Sequence, residues 1–347
     1  MAISDSVASL VTSEVDFDAE GRQTGFLRVP HSVNRSAYGW IPVPVVALKN
    51  GPGPTLLLIA GNHGDEYEGQ IALTRLARNL ACDDIRGRII LLTAANFPAA
   101  QAASRTSPID AGNLNRSFPG DARGTPTQMI AHYIEAELMP MADYAVDLHS
   151  GGTSLFYPPT LLRGQGNSPD ETKKLTLLQA AFDLPYSWVF TGPGGRKSTA
   201  STAMGAANRN GVVCVMAELG GGGCVTPDIL YQTERGLRRV LHALDMLPGY
   251  TPDQTRGSRE LNVLGSVYAY DSGLLEPLKG IADDVAMDEV VALIHHPDTP
   301  WKQADEVRSP YGGIVLCKRA LGQVERGDAV FQIAQEFRAS SHKGAGA

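Results

Sequence analysis

Two histidines and two glutamates, each at the end of an apolar run, offer the chemistry in this chain. His63 and Glu66 lie in GNHGDEYEG with two residues between them. Imidazole and carboxylate are good ligands for a borderline metal such as Zn²⁺. His149, in DLHSGG, is a third ligand of the same kind. A His₂Glu set with one position left open is the pattern of catalytic rather than structural zinc sites. Asp147 precedes His149 by two residues and so shares its strand face, where it can act on the imidazole from behind the metal. Glu218, in MAELGGGG, is the fourth group. A carboxylate in a buried strand is costly without a partner. It could be a fourth ligand, a salt-bridged structural residue or a general base. With three ligands in place, the base that takes a proton from water and passes it to a leaving amine is the stronger reading.

The segment RTSPIDAGNLNRSFPG (105–120) adds donors: Arg105, Asn113, Asn115 and Arg116, with Asp110 as its one acidic residue. Guanidinium groups hold carboxylates by paired hydrogen bonds and stabilise a developing oxyanion. The glycines at 220–223 have no phosphate-loop spacing, and their use is to let backbone approach a substrate beside Glu218. No G-x-S-x-G turn exists, which disfavours a serine hydrolase built on Ser150. His295 and His296 read as surface histidines.

These groups need strands that end together. TLLLIA (55–60) reads as a buried parallel strand, and Ile71, Leu73, Leu76, Ala77 and Leu80 recur at helical spacing behind it. Strands at 88–94, 144–150 and 211–220 alternate with helices at 127–141, 171–182 and 227–247, which gives an α/β sheet. Ligands bind at the carboxyl ends of such strands. The long connection 96–126 has the length of a functional loop. Residues 1–50 form a β-rich entry, and the whole of 1–252 is expected to be the catalytic domain. LPGYTPDQTRGS (247–258) reads as a linker into a small β-domain, 253–340, with two weakly similar halves. A disordered tail is expected at 341–347.

Composition narrows the class. With 43% hydrophobic residues over 347 positions the chain can bury a sizeable core. A net charge of −7, without any basic patch, argues against nucleic acid as a partner. The first residues lack the features of a signal peptide, and no apolar run is long enough to span a membrane. Cys82, Cys214, Cys224 and Cys317 have no C-x-x-C spacing and read as reduced thiols of a cytoplasmic protein, Cys214 in the core and Cys224 less certainly so. A homo-oligomer is left open.

Taken in order, GNHGDEYEG, NLNRSFPG, DLHSGG and AELGG resemble the succinylglutamate desuccinylase/aspartoacylase family of zinc amidohydrolases, relatives of metallocarboxypeptidases, over about residues 40 to 335. The resemblance implies a carboxypeptidase-like mixed sheet flanked by helices, with a smaller C-terminal all-β domain. It implies one Zn²⁺ per chain held by His63, Glu66 and His149, with Glu218 as base. Asn115 and Arg116 match the pair that holds the substrate carboxylate, Arg105 the arginine that polarises the carbonyl, and Arg209 is a candidate for a further carboxylate contact. GNHGDEYEGQIAL with SPIDAGNLNRSFPG most resembles the ectoine-degrading branch, which removes acetyl from Nα-acetyl-L-2,4-diaminobutyrate. That substrate carries a side-chain ammonium, for which Asp65, Glu68, Asp110 and Asp121 are acidic candidates. Another N-acylamino-acid hydrolase, a carboxypeptidase, or a non-catalytic binding protein are the competing expectations.

Overall fold

Uninterrupted apolar runs place the central strands. The computed structural model describes residues 8–190 and 200–338; the tail at 341–347 lies outside the described residues. The chain enters through β1 (Thr12–Ser13), β2 (Gly21–Pro30) and β3 (Trp40–Asn50), antiparallel strands with alternating burial. Next come β4 (Thr55–Ala60), α1 (Tyr67–Asn79), β5 (Gly87–Leu92) and the short α2 (Phe97–Gln101). They are followed by α3 (Pro126–Tyr133), β6 (Tyr144–His149), β7 (Leu155–Arg163), α4 (Pro169–Phe182) and β8 (Tyr186–Val189). Then α5 (Ala203–Arg209), β9 (Val213–Gly221) and α6 (Pro227–Ala243) complete the α/β part.

Three helices start at a Ser-Pro or Thr-Pro pair. The hydroxyl of Ser168 accepts from Glu171 N (3.1 Å), that of Thr226 from Ile229 N (3.4 Å), and Thr125 forms a reciprocal cap with Gln128. Each hydroxyl satisfies a backbone donor that the first turn leaves free, and proline at the first helical position gives up a donor that has no partner there. The helix expected over 127–141 is regular only to Tyr133. It continues through a wide turn at Ile134–Leu138 and a tight one at Met139–Met141, where Pro140 cannot donate to the helical ladder.

Every residue of β4 is buried. Leu57 and Ile59 face one core, with α3 and α5; Leu56, Leu58 and Ala60 face the other, with α1, α4 and α6. A strand covered on both faces needs no polar alternation. The parallel pairs β5–β4, β4–β6 and β6–β9 form the centre of a thirteen-stranded mixed sheet.

Beyond Ser258 lie β10 (Arg259–Tyr268), β11 (Gly273–Pro277), β12 (Asp284–Val285), β13 (Val290–His295), β14 (Asp305–Arg308), β15 (Gly313–Arg319), β16 (Gln323–Val324) and β17 (Ala329–Glu336). Four of them, in the order β14-β13-β11-β16, make a sheet of their own. The others join the main sheet, where β7, β8, β10, β17 and β15 are bonded in turn and β15 returns to β7 as a closed ring. The C-terminal β-unit is thus a barrel that borrows two strands, β7 and β8, from the α/β part. The linker at 247–258 is tied down as well: Arg235 bridges Asp183 and Asp253 (2.8 Å each), and Asp183 accepts from Arg256 N and Gly257 N.

Candidate active site

The strand register assembles the site. Parallel pairing sets Ala60 beside Leu148 and His149 beside Glu218, so the turn after β4 and the ends of β6 and β9 meet at one edge. The turn itself depends on Gly64, whose α-carbon packs so closely on the Ala99 carbonyl that a β-carbon would lie 1.9 Å from the oxygen. Glu66 then opens α1 in extended backbone conformation.

His63, Glu66 and His149 are all buried, and their ligand atoms lie within 4.8 Å of one another. Nδ1 of His63 is 2.6 Å from one Glu66 oxygen, and Nδ1 of His149 is 2.8 Å from the other. The remaining ring nitrogens are held from behind, Nε2 of His63 by Asn113 Oδ1 (3.0 Å) and Nε2 of His149 by Asp147 Oδ2 (2.8 Å). Asp147 is fixed in turn by Asn62 Nδ2 (2.7 Å). With a cation bound, the acceptors behind both rings would hold the N–H on Nε2 and turn the Nδ1 atoms, which converge on Glu66, toward the ion. Burial pushes the Glu66 carboxyl up, yet the two imidazoles hold it well below the usual carboxylate range. His149 is held well above the ordinary imidazole value because Asp147 and Glu66 outweigh its burial. The donor set therefore fits a cation. Replacing Asp147 by Asn is expected to weaken metal affinity about 10- to 100-fold, measured by competition with a chromophoric chelator; unchanged affinity would remove Asp147 from this role.

Glu218 projects from the same face as His149. Its Oε2 is buried without a hydrogen-bond partner. Burial and the Glu66 charge push its carboxyl up to about 8. Such a group is matched to moving protons near neutral pH.

Across the opening stand two exposed arginines. Arg105 Nη1 is 3.4 Å from Glu66 Oε1. Arg116 feels partial desolvation and the like charge of Arg105, both of which lower its pKa, while Glu66 and Glu218 oppose them. Its Nη1 donates to the Asn115 carbonyl at 2.7 Å. Asn115 is buried and oriented: Oδ1 accepts from Ala203 N (2.9 Å), which turns Nδ2 toward the His149 ring, 3.2 Å away.

The remaining candidates fall elsewhere. Arg209 forms a two-pronged bridge to Glu135 (2.7 Å on each side), which joins α5 to the turn after α3 rather than to the cluster. Asp110 accepts from Thr127 N and Oγ1 (2.8 Å each) at the start of α3, and Asp121 is exposed and closes a turn onto Arg123 N. Asp65 accepts from Thr153 N and Oγ1 and braces the loop after His149. Glu68 is buried, with Oε1 unpartnered, and burial pushes it up to about 7. Cys214 is buried and Cys224 exposed. His296 Nε2 meets Asp305 (2.6 Å) in a second group that includes Asp271. There Lys302 Nζ, 3.0 Å from both His296 and Asp305, already supplies the cation.

Asn62 directly precedes His63, yet nothing in the residue pattern marks it as the residue that fixes Asp147. Asn113, expected to donate to substrate, sits behind His63 instead.

The Succinylglutamate desuccinylase/Aspartoacylase catalytic domain family matches residues 52–244, which hold all four motifs. N-alpha-acetyl-L-2,4-diaminobutyric acid deacetylase of Halomonas elongata is 37% identical over 330 residues, 94% of this chain and 95% of that protein. The structure of a succinylglutamate desuccinylase/aspartoacylase from Rhodobacter sphaeroides superposes with a TM-score of 0.88 at 36% identity, covering 95% of this chain and all of that one. The product-bound ectoine utilization protein EutE (DoeB) from Ruegeria pomeroyi does so with a TM-score of 0.89 at 35% identity, over the same shares. The fold agrees with these likenesses, and the chain belongs to the succinylglutamate desuccinylase/aspartoacylase family.

Proposed function

We propose that this chain is a zinc-dependent amidohydrolase that cleaves Nα-acetyl-L-2,4-diaminobutyrate to L-2,4-diaminobutyrate and acetate, a step of ectoine catabolism. The observation that supports a hydrolase most is the pairing of Glu218, a carboxyl pushed up by burial with its Oε2 unpartnered, beside His149 of the His63–Glu66–His149 set. The likeness to the Halomonas elongata deacetylase supports the substrate. The four unpaired cysteines are in keeping with a reducing, cytoplasmic setting. Among the described residues no helix is long and apolar enough to cross a membrane.

His63, Glu66 and His149 would hold one zinc ion. When bound, zinc supplies Lewis-acid polarisation of the amide carbonyl and eases the ionisation of a water. Glu218 takes the proton of the attacking water and delivers it to the departing α-amine, so that the C–N bond breaks as the carbonyl reforms. Arg105, at the mouth beside Glu66, stabilises the negative charge that builds on the carbonyl oxygen. Arg116 binds the α-carboxylate with Asn115, whose Nδ2 is directed into the site by the Ala203 contact. In this reading Asn113 orients His63, and Arg209 takes no part.

Assays of acetyl-diaminobutyrate, acetylaspartate, succinylglutamate and short peptides side by side test the substrate. The expected order puts acetyl-diaminobutyrate first in kcat/KM; preference for peptides or acetylaspartate would overturn it, and purified protein without about one zinc per chain would overturn the metal. Arg116→Ala is expected to raise KM about 10- to 100-fold with a smaller change in kcat. An unchanged KM would remove Arg116 from carboxylate binding.

A further inference from the structure

The turn that carries Arg116 also touches the back of both imidazoles. Leu114–Arg116 is a single turn of 3₁₀ helix, entered from Asn113. The Asn113 carbonyl accepts from Arg116 N at 2.9 Å and from Ser117 Oγ at 2.8 Å, so the turn closes on this residue. The Asn113 side chain reaches the metal cluster, its Oδ1 3.0 Å from His63 Nε2. Two residues on, Asn115 Oδ1 accepts from Ala203 N at 2.9 Å, and Asn115 Nδ2 lies 3.2 Å from His149 Nε2. The Asn115 carbonyl in turn accepts from Arg116 Nη1 at 2.7 Å. A long exposed side chain has many rotamers to lose, and this bond ties the guanidinium to its own turn. Both the backbone and the head of Arg116 are thus held by asparagines that touch the histidines, and NLNR gives each ring one of them.

A cation at the cluster would act on this turn. His63 Nδ1 converges on Glu66 with Nδ1 of His149, so the ion would take Nδ1 and leave the ring proton on Nε2. Only the oxygen of the Asn113 amide can accept that proton. A ring polarised by a cation is also the stronger donor, which tightens its hold on Asn113. In the metal-free ring the proton is free to sit on Nδ1 against Glu66, and Asn113 then loses its donor.

We propose that Asn113 is a positioning residue that couples the His63–Glu66–His149 set to Arg116, so that zinc at the histidines raises the affinity of the mouth for the substrate carboxylate. By reciprocity, a bound carboxylate raises the affinity for zinc by the same factor. The inference rests on the amidohydrolase reading, which gives zinc and Arg116 these roles.

Calorimetric binding of the product, L-2,4-diaminobutyrate, to zinc-free and zinc-saturated protein tests this. Zinc can also touch the ligand directly, so the quantity compared is the ratio of the two Kd values in the wild type and in variants at Asn113. Asn113→Leu and Asn113→Ala remove the acceptor, and Asn113→Asp keeps one in its place. The ratio is expected to be about tenfold larger in the wild type and in Asn113→Asp than in the other two. A structural defect would weaken binding in both states alike and leave the ratio unchanged. The same ratio in all four proteins would therefore overturn the inference, and so would a ratio lost in Asn113→Asp. If zinc-saturated wild type neither binds L-2,4-diaminobutyrate nor hydrolyses any of the acylated amino acids, the amidohydrolase reading fails and takes this inference with it. An active wild type whose ratio survives in Asn113→Leu defeats this inference alone.

Discussion

Glu218→Gln is expected to lower kcat about 10²- to 10⁴-fold while the protein keeps its full zinc content. The amide has the size of the carboxylate and adds no volume to a packed strand, but it cannot accept the proton of a water or return it to an amine. Register puts this side chain directly beside His149, and the carboxyl is pushed up to about 8 by its burial and by Glu66. Lack of a partner at Oε2 leaves that oxygen free for the reacting molecule. If Glu218 were instead a fourth ligand, Gln would weaken zinc binding together with turnover. If it were structural, Gln would lower the melting temperature and leave kcat near wild type. Zinc content, melting temperature and kcat measured on one preparation separate the three roles, and wild-type turnover in the variant would sink the base assignment.

Removing the metal is expected to be equally severe. Chelation should abolish hydrolysis, and added zinc should restore it; His149→Ala should be inactive whether or not zinc is added, because one of three ligands is gone. Residual activity of the chelated protein near the wild-type rate would defeat the metal reading. The metal-free protein should also show a pH signature. In its folded state Glu218 prefers its proton, with a value near 8 against an ordinary 4.5, and His149 is likewise held above its ordinary 6.5. Both groups contribute stability that is fully present below their unfolded values and is lost as pH rises through the folded ones. Glu66 is held down, so its contribution has the opposite sign and is lost only in strong acid. The melting temperature of the metal-free protein should therefore fall as pH rises from about 4.5 to about 8. Zinc favours the deprotonated ligands and should flatten that slope. A metal-free melting temperature that rises over this range would show that the two shifts are misassigned.

Much of this site is legible in the chain because parallel α/β sheets obey a simple rule. Apolar strands too short to be helices end at one edge, and polar residues placed at those ends must meet there. TLLLIA before His63, YAVDL before His149 and VCVMA before Glu218 each announce such an end. The His63–Glu66–His149 cluster and the place of Asp147 behind His149 follow from strand ends and the period of two. The Arg105–Arg116 pair follows less directly, since a loop gives residue types but not directions. That is why Asn113, a donor in the sequence, turns out to sit behind His63, and why Arg209, close in sequence to the Glu218 strand, is drawn to Glu135 on a neighbouring turn. A surface guanidinium goes to whichever carboxylate the packing brings near, and spacing along the chain carries no record of that.

The sequence by itself determined the α/β alternation, the four motifs and the types of ligand they supply, because hydrophobic period and strand ends are local properties. Only the tertiary structure decided three further points. It set the register that places Glu218 directly beside His149 at one edge of the sheet. It ran the main sheet on past the linker, so that β7 and β8 close a barrel with strands whose paired residues lie more than seventy positions away. And it brought Gln332 to Tyr157. Each of these depends on non-local pairing, in which backbone hydrogen bonds join segments whose side chains carry no mutual signal until the sheet is formed.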